Sequence, residues 1–519
     1  MIFATLQNRL NDINKTSDFR LNLQGINSSQ WWFLLKHIPQ GDLTSGIHLV
    51  VCPDADQAEN IYDFLENNFT DSWRVAHYPG HEVSPYSDFF VSERNLNDRF
   101  LSLQQIISFK ANSDPTIKSL IIVCTIESLF MLAPPAEFFQ SSQMTISVSD
   151  IISPLELASK LGERGYQAAT SIEEPGTFAI KGGIVDIFPF GGEPARLHYF
   201  DDMIEEIFAI DPESQRTVRD RPFESLIISS TPQSLTSKEC QINLRENIPQ
   251  PPPGFRQKHE ARKDIFSRLA DQHLFENWSA FAPLFFSKSS TLSDYLALPS
   301  KTESKTHLHV VSPLQCEQEW ASFTETLNQD FARTSSSDDE AMLLPSPHKL
   351  YDLSGAWPVY PRFDLDAIAM DLSDGALSLH IPFESTLQHF KNEFADGVSG
   401  RELIKKIFEH IALEFKHSGD VYFACSNDHS RKEFSHLVEL FLPPQMSERI
   451  HFVDFKIPHG FYYPNEKFLV LSEGDLFSSK KAKTKETKKR DLDLFAEQLA
   501  SLKPGDYVVH NQHGVGKYL

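Results

Sequence analysis

Residues 176–189 read Gly176-Thr177-Phe178-Ala179-Ile180-Lys181-Gly182-Gly183-Ile184-Val185-Asp186-Ile187-Phe188-Pro189. Two short apolar runs flank a Gly-Gly pair, the pattern of two strands joined by a tight turn. The pattern recurs in Arg196 to Phe200 and Ile204 to Ile210, separated by Asp201-Asp202. Residues 143–228 therefore predict a small α+β domain rich in antiparallel strands.

The texture on either side is different. Ile47-His48-Leu49-Val50-Val51-Cys52 and Leu120-Ile121-Ile122-Val123-Cys124 are continuous apolar runs. Between them Ala58, Ile61, Tyr62, Phe64 and Leu65 recur near helical spacing. Buried strands alternating with helices predict a parallel α/β layer over 1–142. Residues 229–350 are less regular, with a proline-marked loop at Pro249 to Pro253, a helix from about His259 to Leu274 and a polar loop at Thr334 to Glu340. Residues 351–475 predict a further small α/β domain. Its helix, Arg401 to Phe415, carries the stripe Leu403, Ile404, Ile407, Phe408, Ile411 and Phe415. Strand candidates there are Val421 to Ala424 and Phe468 to Leu471. Residues 476–500 contain a linker, Ser479 to Arg490, with seven basic residues and one acid. Residues 501–519 follow as a last short segment.

The chain has 519 residues, with 48 Lys+Arg against 71 Asp+Glu and a formal net charge of -23. Removing the linker's +6 leaves -29 on the rest, which argues against a whole surface built to grip nucleic acid. No stretch reaches the roughly 18 apolar residues of a membrane span, and the N-terminus lacks the basic-then-apolar pattern of a secretory signal. Cys52, Cys124, Cys240, Cys316 and Cys425 are scattered and odd in number, so they predict buried free thiols in a reducing cytoplasm.

Candidate active sites are thin. No G-x-x-x-x-G-K-[ST] occurs. The nearest segment, Gly25-Ile26-Asn27-Ser28-Ser29-Gln30-Trp31-Trp32, has Trp31 where the phosphate-binding Lys would stand. Asp339-Glu340-Ala341-Met342 mimics a helicase acidic box but sits in a Ser-rich loop without a preceding apolar strand. Asp201, Asp202, Glu205 and Glu206 read as a turn and an exposed face rather than a Mg²⁺ site. His510 and His513 have no zinc-ligand partners at suitable spacing and read as a loop between strands. The basic run at 480–490 reads as a solvated linker rather than a phosphate contact. No catalytic residue, cofactor or metal site is predicted.

Four blocks together resemble one family, the bacterial transcription-repair coupling factors (Mfd). They are Tyr78-Pro79-Gly80-His81-Glu82-Val83-Ser84-Pro85-Tyr86 with Arg99-Phe100-Leu101-Ser102-Leu103, the 176–217 block, Leu471-Ser472-Glu473-Gly474-Asp475-Leu476-Phe477, and Leu502 to Tyr518. His81 replaces the family's usual Trp. The second block is shared with the excinuclease subunit UvrB; the last two favour the coupling factors. The resemblance implies an α/β multidomain fold. A UvrB-like module, a degenerate helicase-like α/β domain with an inserted α+β UvrA-binding domain, would precede a further α/β domain and the start of a small β-barrel.

It also implies a function. The inserted domain would bind UvrA through Lys181, Arg196 and Phe200, with Lys181 standing where the family usually has Arg. Strand alternation supports such a face, because Arg196, His198 and Phe200 share one side while Leu197 and Tyr199 turn to the core. The expectation is a non-catalytic scaffold recruiting nucleotide excision repair to RNA polymerase stalled at damage. ATP, Mg²⁺ and DNA would belong to the family's translocase motor, which this sequence does not contain. RNA polymerase binding is expected to be weak, with the 501–519 tail disordered or merely docked. The alternatives are a UvrB-type ATP-dependent excinuclease subunit and a free-standing competitor of UvrB for UvrA.

Overall fold

In this computed structural model the described residues are 19–37, 45–70, 72–81, 84–86, 93–251, 253–271, 273, 278–301, 305–336, 343, 345–367, 377–386, 390, 401–476, 507–510 and 514–517. They divide into two compact units: Met1–Glu384 with two short later segments, and the bulk of Ser385–Leu519.

The first unit is built on a seven-stranded sheet. Its strands are β1 (Arg20–Gln24), β2 (Gly46–Cys52), β3 (Trp73–Tyr78), β4 (Ser119–Thr125), β13 (Thr306–Val311), β14 (Arg362–Asp366) and β15 (Leu377–His380), in the order β15-β1-β14-β13-β2-β4-β3. Every pairing is parallel. The two central runs read from the sequence, β2 and β4, are buried along their whole length. That is how a parallel strand covered on both faces should read. Helix α1 (Ser28–His37) follows β1, and α2 (Ala55–Asn68) follows β2. The α2 start is fixed by Asp54, whose carboxylate accepts from the Gln57 amide at 2.8 Å. Helix α3 (Glu93–Lys110) connects β3 to β4 and packs on both.

A smaller sheet is inserted between β4 and β13. Its strands are β6 (Gln167–Ala168), β7 (Thr177–Lys181), β8 (Ile184–Phe188), β9 (Ala195–Phe200), β10 (Met203–Asp211) and β11 (Arg216–Pro222), in the order β11-β10-β9-β8-β7-β6. Pairing is antiparallel from β7 to β11; the two-residue β6 runs parallel to β7. The chain enters through β5 (Met144–Ser147) and leaves through β12 (Ser225–Ile228), and these pair antiparallel with each other. Helix α4 (Pro154–Glu163) starts at Ser153, whose hydroxyl accepts from the Glu156 amide. Val185, Ile187, Leu197, Ile204 and Ile207 on the inner face join the same buried apolar cluster as Ile122 and Phe100.

Residues 229–350 hold α5 (Lys238–Asn247), α6 (Arg256–Ala270), β13 and the long α7 (Pro313–Ser336). α7 runs into the segment read as a polar loop; 337–342, which include the Asp339–Met342 box, lie outside the described residues. One sequence boundary differs. β14 and β15 lie beyond residue 350 yet belong to the first sheet, flanking β1. Arg362-Phe363-Asp364-Leu365-Asp366 alternates in polarity and so does not look like a buried parallel strand. It is one because Arg20 and Arg362 both donate to the fully buried Asp364, each at 2.6 Å.

The second unit contains α8 (Arg401–Glu414) and α9 (Asp428–Phe441). Its five-stranded sheet has the order β16-β19-β20-β17-β18, from β16 (Glu384–Ser385), β17 (Asp420–Cys425), β18 (Ile450–Asp454), β19 (Phe461–Tyr463) and β20 (Phe468–Leu471). The α8 stripe turns inward: Ile407, Phe408, Ile411 and Phe415 are buried against Phe423, Phe434 and Leu471. Asp475 closes the segment after β20, accepting from the Gly460 and Ser472 amides at 2.8 Å each. In the last segment β21 (Tyr507–His510) pairs antiparallel with β22 (Gly514–Lys517). The tail expected to be disordered or merely docked thus contains a paired hairpin, with Val508 opposite Gly516 and Val509 opposite Val515. The linker 480–490 and His513 lie outside the described residues.

Candidate functional site

A nucleotide pocket is the first possibility to test, at the end of β1. The connection from Gln24 to Ser28 is three residues, too short to wrap a phosphate as a glycine-rich loop does. Gly25 has φ +76, and a Cβ there would lie 2.9 Å from the Ile381 carbonyl oxygen, so its glycine serves a close backbone approach. Asn27 and Gln30 cap the helix reciprocally: the Gln30 amide donates to Asn27 Oδ1 at 3.0 Å, and the Asn27 amide to Gln30 Oε1 at 2.9 Å. The Asn27 and Gln30 amides, which a phosphate here would need, are thus engaged within the chain. Trp31 is fully buried and donates from Nε1 to His309 Nδ1 at 3.0 Å. A neutral His309 then carries its proton on Nε2, 3.0 Å from His48 Nδ1. Burial holds both His48 and His309 well below the usual histidine range. The segment that most resembled a phosphate loop is a packing element.

Among the described residues no group of three or more His, Cys, Asp or Glu is arranged to hold a metal ion. The five cysteines are free and buried. No described helix is long and apolar enough to cross a membrane.

The inserted sheet offers a different kind of site. Its outward face is ordered in rows by strand register. One row runs Lys181, Ile184, His198, Glu206 across β7, β8, β9 and β10. The next runs Ala179, Asp186, Arg196, Phe208. Beyond His198, Phe200 pairs with Met203 at the hairpin end. Lys181, Arg196 and Phe200 therefore stand on three consecutive rows of one face. Leu197 is fully buried beneath them, and Tyr199 packs partly buried against the same core. Burial, with Asp150 and Asp202 nearby, pushes the Tyr199 hydroxyl up to about 12.

The three residues differ in environment. Phe200 is 69% exposed, far more than a core aromatic. Lys181 is exposed at the end of β7, beside the Gly182-Gly183 turn where Gly182 has φ +62. Arg196 is neither a core residue nor a loose surface charge. Its guanidinium clamps Asp186 through Nε–Oδ1 at 2.7 Å and Nη2–Oδ2 at 2.9 Å. It also donates to Thr217 Oγ1 and the Gln215 carbonyl. The Asp186 side chain is 1% exposed and that of Arg196 16%. Asp186 holds the Arg196 guanidinium above its ordinary pKa. The sequence reading did not assign Asp186. Its only signal is an acid inside the apolar run Ile184-Val185-Asp186-Ile187-Phe188, which requires a cationic partner once buried.

The acids Asp201, Asp202, Glu205 and Glu206 are all exposed, on the turn and the start of β10.

Residues 144–230 match the UvrB interaction domain family, and residues 502–519 match the CarD-like/TRCF RID domain family. The transcription-repair-coupling factor of Bacillus subtilis is 24% identical over 497 residues, which cover 89% of this chain and 39% of that protein. The same-named protein of Haemophilus influenzae is 24% identical over 493 residues, 91% of this chain and 39% of its own length. One from Staphylococcus aureus (strain MRSA252) is 24% identical over 487 residues, again 39% of its length. With a UvrB interaction domain match and a TRCF-type RID match in one chain, this protein is similar to the transcription-repair-coupling factors over 39% of their length.

Proposed function

We propose that this chain is a docking platform of transcription-coupled DNA repair, recruiting UvrA through the outward face of the inserted sheet. The observation that carries the reading is Phe200, 69% exposed on the same face as Lys181 and Arg196. Exposed aromatics beside cations are the residue types that dominate protein interfaces. The UvrB interaction domain match over 144–230 supports a protein partner, and the RID match at 502–519 supports contact with RNA polymerase.

The part assigned to these residues is binding rather than nucleotide hydrolysis. The capped three-residue β1–α1 connection and the buried Trp31 support that division. ATP, Mg²⁺ and DNA would be handled by a translocase motor of the kind the family resemblance implies. The cytoplasm, where repair of the chromosome takes place, is the compartment this role requires.

Arg196 needs care as a probe. Charge reversal there would leave Asp186 buried beside a second acid, so lost binding could reflect a lost domain. Phe200→Ala and Lys181→Glu are cleaner, because both side chains are exposed. Titration of purified UvrA into the full chain should show weakening of about tenfold for Phe200→Ala, with an unchanged unfolding midpoint. Equal binding by wild type and both variants would overturn the assignment of this face. Calorimetry with Mg-ATP tests the UvrB-type alternative, which requires a nucleotide site.

A further inference from the structure

The outward face continues past Phe200 in a way the family trio does not describe. Segment 148–152 adds to the edge of β10: the Ser149 amide donates to the Ile204 carbonyl at 2.8 Å, the Ile204 amide to Asp150 at 3.0 Å, and the Ile152 amide to Asp202 at 2.9 Å. These bonds bring Ile151 opposite Met203. Met203 is in turn opposite Phe200. Directly paired residues of antiparallel strands project to the same side, so Ile151, Met203 and Phe200 form one apolar row. Ile151 is 82% exposed, Phe200 69% and Met203 37%, and Leu155 on the first turn of α4 is 79% exposed. The paired row of Ile151, Met203 and Phe200, rather than exposure alone, makes this a candidate interaction surface.

Carboxylates border the row: Asp201 in the turn and Glu205 and Glu206 on β10 are exposed, while the exposed Asp150 and Asp202 lie toward Tyr199. This charge repels nucleic acid and anionic membranes alike, and complements a cationic rim. The backbone pairing also fixes the row before any partner arrives, which removes much of the ordering cost of binding.

We infer that Ile151, Met203 and Phe200 form an apolar docking strip that seats in a protein cleft rimmed by basic side chains. The inference rests on the recruitment reading above, and names UvrA as the protein that presents this cleft. Apolar contact supplies the affinity, and the acidic border sets orientation and salt dependence.

The test titrates purified UvrA into the full chain at low and high salt. Ile151→Ser/Met203→Ser should weaken binding by about tenfold, as loss of central interface side chains does. Its unfolding midpoint should stay near wild type. Glu205→Lys/Glu206→Lys should weaken binding at low salt and flatten the salt dependence. Should the double serine variant unfold, the single Ile151→Thr keeps a β-branched residue at this site and should still weaken binding by about threefold.

If these variants bind within twofold of wild type while Phe200→Ala is impaired, the strip is wrong and the recruitment reading stands. Wild type that fails to bind UvrA overturns the recruitment reading, and the strip with it. Variants that abolish self-association of the chain but leave UvrA binding intact make a second copy the occupant and overturn the proposal.

Discussion

Arg196 on β9 and Asp186 on β8 face each other directly in the antiparallel register and share two hydrogen bonds of 2.7 and 2.9 Å. The carboxylate is almost wholly buried although it projects to the face opposite the apolar inner residues Val185 and Ile187. The pair therefore ties the putting-together of the sheet to the face that carries Lys181 and Phe200.

Removing one member of this pair should cost stability before it costs binding. Arg196→Ala leaves a buried carboxylate without its counter-ion, expected to cost about 3–5 kcal/mol. Replacing both, as Arg196→Leu/Asp186→Leu, should recover much of that loss, because no uncompensated charge remains. Urea unfolding of the four species gives the coupling. Additive losses would show that the two side chains act independently.

Acid should destabilise the first unit through its buried histidines. His48 and His309 have folded pKa values well below the ordinary 6.5, chiefly from burial. Below about 6.5 the unfolded chain takes up protons there and the folded chain does not. Their contribution is thus complete above that pH and lost as pH falls toward the folded values. Each group adds a slope of up to about 1.4 kcal/mol per pH unit. Unfolding midpoints measured from pH 7.5 to 5 should fall for wild type and fall less for His48→Leu.

Restoring the missing lysine should not restore a nucleotide site. Trp31→Lys removes an indole buried against Phe363 and its bond to His309, and leaves the capped Asn27–Gln30 start unchanged. The expected result is a loss of about 3–5 kcal/mol, the range for removing a large core aromatic, without Mg-ATP binding by calorimetry. Heat of binding in a folded variant would contradict this account of the β1–α1 connection.

In the second unit two glycines should resist any side chain. A Cβ at Gly460 would lie 1.9 Å from the Val470 carbonyl oxygen, and one at Gly474 2.1 Å from that of Pro458. Neither glycine has a positive φ, so close approach alone makes the requirement. Gly460→Ala and Gly474→Ala should each destabilise this unit by about 1–3 kcal/mol, the range for overpacked cores. Chemical denaturation monitored in the 385–476 region checks this, and a wild-type midpoint would show that the backbone there can yield.

The sequence by itself determined where regular elements form and which way many of them face. The apolar runs at Ile47 and Leu120, the α8 stripe and the paired turns at Gly182-Gly183 and Asp201-Asp202 follow from short-range pattern, which needs no knowledge of distant partners. The same alternation separated Leu197 from Phe200. What only the tertiary structure decided depends on residues far apart in the chain. Asp364 turns the polar run Arg362 to Asp366 into a buried strand because Arg20 arrives from the other end of the unit. Trp31 becomes core because His309 meets it. Arg196 is a clamp rather than a loose charge because strand register, not spacing, sets Asp186 opposite it. Ile151 joins Met203 and Phe200 only through the bonds that add segment 148–152 to β10. Periodicity reports which side a residue faces; what stands opposite it is fixed by long-range pairing and by the burial that makes an unpaired charge too costly to keep.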